Sequence, residues 1–404
     1  MYDEAMSTHK LPRAAAAVLG LGLLLPAALP GAEVAVKNTA ELRQALREAR
    51  PGALILLAAG VYEGGLYVDR VQGANDRPIV VAAADTQRPP VFRGSGQAFH
   101  LSDCAHLELR DLVVEKTSTN GMNIDDGGSF DTPARHIVLR NIVVRDAGTD
   151  GNHDGIKLSG LDDFRIEGCT VERWGRGGSA IDMVGCHRGV IERCTFRDRE
   201  PGGAANAVQT KGGTHAVTIR RCLFEHAGQR AVNIGGSTGL AYFRPAPQGF
   251  EAKDIVVEGC TFIGSEAPVA FVGVDGATVR FNTIYRPRAW ILRILQETRA
   301  PGFVPCRNGC FTDNLIVYRA SDIRTPVNIG PGTAPDTFVF ARNFWYCADN
   351  PPRSIPALPA AETGGRGGRD PLLADPEKGD CTVKEDSPAR GAGAAACPAP
   401  SPRG

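Results

Sequence analysis

The sequence predicts an all-β chain: a right-handed parallel β-helix with a short capping helix at its N-terminal end. Three observations carry this expectation. Apolar and polar residues alternate with a period of two in short runs, which marks strands rather than helices. The runs recur along the chain at roughly 22–38 residues, the signature of a stacked architecture rather than a globular one. Glycine is abundant, at 48 of 404 residues, and aromatics make up only 6%. That composition suits many short strands joined by tight turns.

At the N-terminus, His9, Lys10 and Arg13 precede the apolar run "AAAAVLGLGLLLPAALPGA". The run is short and interrupted by proline, so it reads as an export signal rather than a membrane span. Residues 1–32 are taken as a signal peptide, with Met6 an alternative start and cleavage near Ala32. The mature protein is then expected in the periplasm or outside the cell. An uncleaved membrane anchor is the competing reading. In "NTAELRQALREARPG" (38–52), Asn38 and Glu41 have capping-box spacing, and Leu42, Ala45, Leu46 and Ala49 share one face,. Pro51–Gly52 ends this amphipathic helix, which suits a plug for an open solenoid end.

The repeat occupies residues 33–349. "DFRIEGCTVERWG" (163–175), "RGVIERCTFRDRE" (188–200), "AVTIRRCLFEHAG" (216–228) and "DIVVEGCTFIGSE" (254–266) align without a gap. A second run precedes each unit: "GMNI", "GIKL", "AIDM", "AVQT", "AVNI", "PVAF" and "PVNI". Parallel stacking at about 4.8 Å would pile Cys169, Cys194, Cys222 and Cys260 inside the cylinder as small apolar fillers. The eleven cysteines are an odd number in an exported chain, and Cys306/Cys310 and Cys381/Cys397 are the candidate bridges,. Residues 350–404, rich in Pro, Gly and Ala, read as a loosely ordered cap and tail.

Strand alternation decides which side chains can do chemistry. The outward position of the second run holds Asn123, Lys157, Asp182, Gln209, Asn233, Ala270 and Asn328. Three residues earlier come Asn120, Asp154, Ser179, Asn206, Arg230 and Glu266. Two residues later come Asp125, Ser159, Val184, Lys211 and Gly235. The result is a polar strip, densest between Asp154 and Asn233. Beside it the loop "ERWGRGG" offers Trp174, read either as packing or as a platform for a sugar ring, and the cation Arg176. His153 and His215 flank the strip as ordinary turn histidines. Acidic and basic residues balance at 45 each, so nothing global argues for nucleic acid.

The segment "ELRQALREARPGALILLAAGVYEGGLYVDRVQGANDRPIVVAA" resembles the opening of the β-helical polysaccharide lyases that act on alginate and on dermatan or chondroitin sulfate, within the pectate-lyase-like superfamily. The resemblance lies in the plug helix, the "PG" turn and the "G-x-Y" strand end, and it runs more weakly to about residue 290. It implies an acidic, uronic-acid-containing polysaccharide as partner, cleavage by β-elimination, and a monomeric protein. Laid on "NAVQTKGG", the family's base lysine falls on Lys211. Its glutamate, a calcium ligand, falls on Asn206, and its arginine falls on Asn233. Arg230 is therefore the candidate to neutralise the substrate carboxylate or act as acid, with Asn206, Gln209, Asn233, Lys157, Trp174 and Arg176 binding substrate. "NHDGIKL" with "GSAIDM" is similar to a pectate-lyase calcium site, which makes Asp154 and Asp182 the candidate metal ligands. They are equally readable as ion-pair partners of Lys157. A non-catalytic carbohydrate- or envelope-binding surface is the alternative, and glycoside hydrolysis ranks below both.

Overall fold

The computed structural model describes residues 31–399, apart from 95, 130 and 199–202. Residues 1–30 of the predicted export segment, with His9, Lys10 and Arg13, lie outside them. The described chain winds as a right-handed parallel β-helix. Each coil adds one short strand to each of three stacked sheets. The first sheet runs from Glu33–Val36 to Glu362–Thr363, the second from Val61–Glu63 to Arg366–Gly367, and the third from Leu66–Asp69 to Val327–Ile329. Pairing is parallel throughout these sheets, and the one antiparallel pair among the described strands joins Leu373–Asp375 to Asp380–Val383. Among the described residues no helix is long and apolar enough to cross a membrane.

One left-handed residue per coil turns the first sheet into the second. The series is Asp111, Asn141, Gly168, Arg193, Arg221, Gly259, Phe281, Asp313 and Arg342, all with φ between 51° and 63°. A single residue in this conformation redirects the strand at a cost of about 1 kcal/mol for a non-glycine side chain. Pairing in the neighbouring coils holds it there. The residue after each corner points inward: Leu112, Ile142, Cys169, Cys194, Cys222 and Cys260, then Asn282, Asn314 and Asn343, all at most 2% exposed.

The two halves of this inner column are satisfied differently. The cysteines behave as the predicted fillers. Their thiols are enclosed, burial pushes those of Cys169 and Cys222 far up, and Cys194 Sγ lies 3.3 Å from the Glu192 carbonyl. The asparagines form a ladder. Asn314 Oδ1 accepts from the Asn282 backbone N–H at 2.9 Å, and Asn343 Oδ1 accepts from that of Asn314 at 3.0 Å. Their amide nitrogens donate to the carbonyls of Val257, Val279 and Phe311. A stack of Phe196, Phe224 and Phe262, with ring centroids 4.9 and 4.7 Å apart, fills the adjacent core. Each such pair contributes about 1 kcal/mol beyond the area it buries.

The helix Thr39–Glu48 sits where the pattern placed it. Asn38 Oδ1 accepts from the Glu41 N–H at 2.9 Å, while the Glu41 carboxylate accepts from the Lys37 N–H and the Asn38 side chain. Leu42, Ala45 and Leu46 are buried against the first strands. At the other end strand pairing continues past residue 349, through Glu362–Thr363 and Arg366–Gly367. Glu362 takes hydrogen bonds from Asn343 Nδ2 and Trp345 Nε1. Ala389 and Ala392 then pack on Leu315, Val317 and Phe344.

All eleven cysteines are free thiols, which corrects both expected bridges. Cys306 is fully enclosed, whereas Cys310 is partly exposed on the strand Arg307–Thr312. Cys397 packs instead against Gly259, where an added Cβ would lie 2.9 Å from its sulfur.

Candidate functional site

The third sheet carries the site. Its register aligns one outward residue per coil, in the order Tyr67, His100, Asn123, Lys157, Asp182, Gln209, Asn233, Ala270, Arg293 and Asn328. Asp125, Ser159, Val184 and Lys211 make the column two residues on. Ser179, Asn206 and Arg230 align in the earlier column, but their next neighbour is Ala267 rather than Glu266. A one-residue slip in the sequence alignment produced that difference.

Two carboxylates and two ammonium groups meet at the centre. Asp182 is only 2% exposed. It pairs directly with Lys157, and its Oδ1 lies 3.1 Å from Lys211 Nζ. Asp154 Oδ2 is 3.5 Å from Lys157 Nζ, and its Oδ1 accepts from the Ser179 N–H at 2.7 Å. Burial, then the charge of Asp182, pushes the Asp154 carboxyl up to about 6. Burial works against the Lys157 ammonium, but Asp182 and Asp154 outweigh it and raise its pKa.

An amide network extends this core. Gln209 Oε1 accepts from Lys211 Nζ at 3.2 Å, from Asn206 Nδ2 at 3.3 Å and from Ser179 Oγ at 3.5 Å. On the neighbouring coil Arg230 Nη1 donates to Asn233 Oδ1 at 3.2 Å, and its Nη2 reaches Glu297 Oε1 at 2.8 Å. Lys211 and Arg230 thus lean from opposite ends of their strands toward the paired amides of Gln209 and Asn233. The structure brings together Asp154, Lys157, Asp182, Asn206, Gln209, Lys211, Arg230 and Asn233.

Two predicted residues stand apart. Trp174 is not a sugar platform: it is 1% exposed and belongs to the apolar core. It follows the left-handed Arg173, and that turn directs the indole inward. Arg176 is exposed on the turn that follows. His215 lies on the first sheet, packed on His187 with ring centroids 4.0 Å apart and the planes tilted by 34°, away from this face.

Asp154 and Asp182 do not fit a calcium ion. Calcium takes six to eight oxygen ligands, whereas here the Lys157 ammonium sits against both carboxylates and Lys211 against one. Among the described residues no group of three or more His, Cys, Asp or Glu side chains has metal-binding geometry.

Sequence reasoning placed Asn123, Asp125 and Asn328 at the ends of the strip but missed Tyr67, His100 and Arg293. Toward the N-terminus, Asp125 accepts from His100 Nε2 at 2.6 Å, Ser102 Oγ at 2.8 Å and Asn123 Nδ2 at 2.9 Å. Tyr67, 55% exposed, meets the His100 ring edge-on. Toward the C-terminus, Arg293 occupies the coil between Ala270 and Asn328. The apolar alternation in "WILRIL" was the available signal. The loop after Gly235 is anchored beside the strip by Glu251, which is fully buried. Its carboxylate accepts from the N–H groups of Gly212 and Thr238 at 2.9 and 2.8 Å.

A family model described as a right handed beta helix region matches residues 91–245. No curated protein matches the chain by sequence. Among solved structures, pectate lyase Pel9A is 12% identical with a TM-score of 0.54, over 90% of each chain. The PL6 family polysaccharide lyase Pedsa3628 from Pseudopedobacter saltans is 14% identical with a TM-score of 0.54, over 89% of this chain and 99% of its own. An alginate lyase from Paenibacillus sp. str. FPU-7 is 16% identical with a TM-score of 0.49, over 76% and 98%. Identity this low establishes shared architecture and leaves chemistry to the site. The chain is a right-handed parallel β-helix protein, similar in fold to polysaccharide lyases.

Proposed function

We propose that this is an exported protein that binds an acidic polysaccharide along the outward face of the third sheet and cleaves it by β-elimination. The observation that carries the reading is the convergence of Lys211 and Arg230 on the Gln209–Asn233 amide pair. β-Elimination needs a cation on the uronate carboxylate, a base for the proton on the adjacent carbon, and a proton for the departing glycosidic oxygen. In this scheme Arg230 neutralises the carboxylate. Lys211, as its free amine, takes the proton, and Asp182 at 3.1 Å is the group through which the ammonium proton leaves. The electron pair of the broken C–H bond forms the C=C bond as the C–O bond breaks. The leaving oxygen takes its proton from Arg230 or water. Asn206, Gln209 and Asn233 hold sugar hydroxyls.

One observation favours a second reading, a surface that binds the polymer without cutting it. Both acting cations already have carboxylate partners, Lys211 in Asp182 and Arg230 in Glu297. The two readings separate in one assay. Purified protein is incubated with alginate, pectate and chondroitin or dermatan sulfate, and the ultraviolet absorbance of unsaturated product is followed. Lyase chemistry requires a signal from the wild type, and Lys211 as the base requires that Lys211→Ala largely remove it. A silent wild type that still binds polymer leaves the binding reading.

A further inference from the structure

We propose that Trp290, Arg293 and Arg324 form a second, anion-binding subsite at the C-terminal end of the strip, for a charged ring substituent of the same polymer. The proposal rests on the reading of this face as a polysaccharide surface and extends it to residues two coils beyond Asn233.

The Arg293 guanidinium lies 4.2 Å from the centroid of the Trp290 ring, and that of Arg324 lies 5.1 Å from it. Contact with a ring face holds a guanidinium in place while leaving its N–H groups free for an anion. Arg293 is half-buried, and its Nε donates to Asn328 Oδ1 at 2.9 Å. Neither arginine is ion-paired with a carboxylate among the described residues. The charges of two carboxylates reach Arg293: Glu297 is engaged by Arg230, and Glu266 makes no ion pair with either arginine. Burial, then the positive charge of Arg230, lowers the Arg293 pKa, while Glu297 and Glu266 oppose that shift. A planar guanidinium pair beside an aromatic ring matches a carboxylate or sulfate carried on a sugar: the anion meets the forks and the apolar ring face meets the indole edge.

The molecule supplies its own probe. Its three tryptophans are Trp174, Trp290 and Trp345, and Trp174 and Trp345 are enclosed at 1% and 0% exposure. Saturable change of tryptophan emission on adding polymer therefore reports Trp290. Alginate and pectate supply carboxylate alone, chondroitin sulfate supplies sulfate as well, and dextran is the neutral control. The expected result is a response to the anionic polymers, none to dextran, and loss of the response in Trp290→Phe. In Arg293→Ala/Arg324→Ala the half-saturating concentration should rise on the order of tenfold, with recovery in the double lysine variant. A tighter response to chondroitin sulfate than to alginate would identify the group held as sulfate, and the reverse as carboxylate. The proposal is overturned if emission stays constant at polymer concentrations that yield product. It is equally overturned if dextran responds alike, or if the folded double alanine variant binds as wild type does. A response without unsaturated product removes the lyase reading and leaves this subsite standing.

Discussion

Lys211 Nζ stands 3.1 Å from Asp182 Oδ1, and Lys157 contacts the same carboxylate from the preceding coil. One buried acid therefore holds two ammonium groups that rise from strands on either side of it. Removing the acid should be far more disruptive than removing either base. In Asp182→Asn both lysines lose their main counter-charge in a poorly hydrated place, and the unfolding free energy should fall by about 3 kcal/mol. Denaturant titration would measure this. A loss below about 1 kcal/mol would mean that water, rather than Asp182, solvates the lysines.

Lys211→Ala tests the chemistry rather than the fold. If Lys211 is the base, product formation should drop by roughly 10²–10⁴-fold with polymer binding weakened much less. Equal rates for variant and wild type would assign proton removal to another group.

Asp154 makes a prediction about pH. Its carboxyl, raised to about 6 from the ordinary 3.8, keeps its proton in the folded state over a range where the unfolded chain has released it. The folded state then binds more protons, so stability falls as pH rises from about 4 to 6. The whole decline is about 3 kcal/mol at most, the free energy that corresponds to that shift. Melting temperature measured at pH 4 and pH 7 should show this decline in wild type and a much smaller one in Asp154→Asn. Matching profiles would remove Asp154 as the source.

The inner corner column separates two ways of filling one position. Asn314→Ala strands the Asn282 N–H and the Val279 carbonyl, which Asn314 now satisfies, and should cost roughly 2–4 kcal/mol. Cys222→Ala at the equivalent corner removes a sulfur held by only weak contacts to the Arg220 and Ile191 carbonyls and should cost about 1–2 kcal/mol. Equal losses in chemical denaturation would show that the asparagine ladder adds nothing beyond its volume.

Thiol labelling offers a further check. Cys310 and Cys397 are partly exposed and the other nine cysteines are buried, so the native protein should react rapidly at those two alone and at all eleven once unfolded. Fast modification of Cys222 without unfolding would contradict the packing of the column.

The sequence by itself determined the solenoid, its plug helix and the outward columns. Each of these follows from local rules: alternation with period two, a capping box, and one repeating inward position read in Cys169, Cys194, Cys222 and Cys260. Those rules also placed Lys157, Asp182, Gln209 and Asn233 in line. Only the tertiary structure decided who meets whom. It buried Trp174, because a left-handed Arg173 turns the chain inward there, a change of direction that no side-chain pattern records. It set the Lys157 ammonium against Asp154 and Asp182, one of the two readings the sequence left open, because that contact depends on which residues share a register across coils. It also brought Arg324 to Trp290 and Arg293, and that proximity depends on a loop path that has no repeat to read.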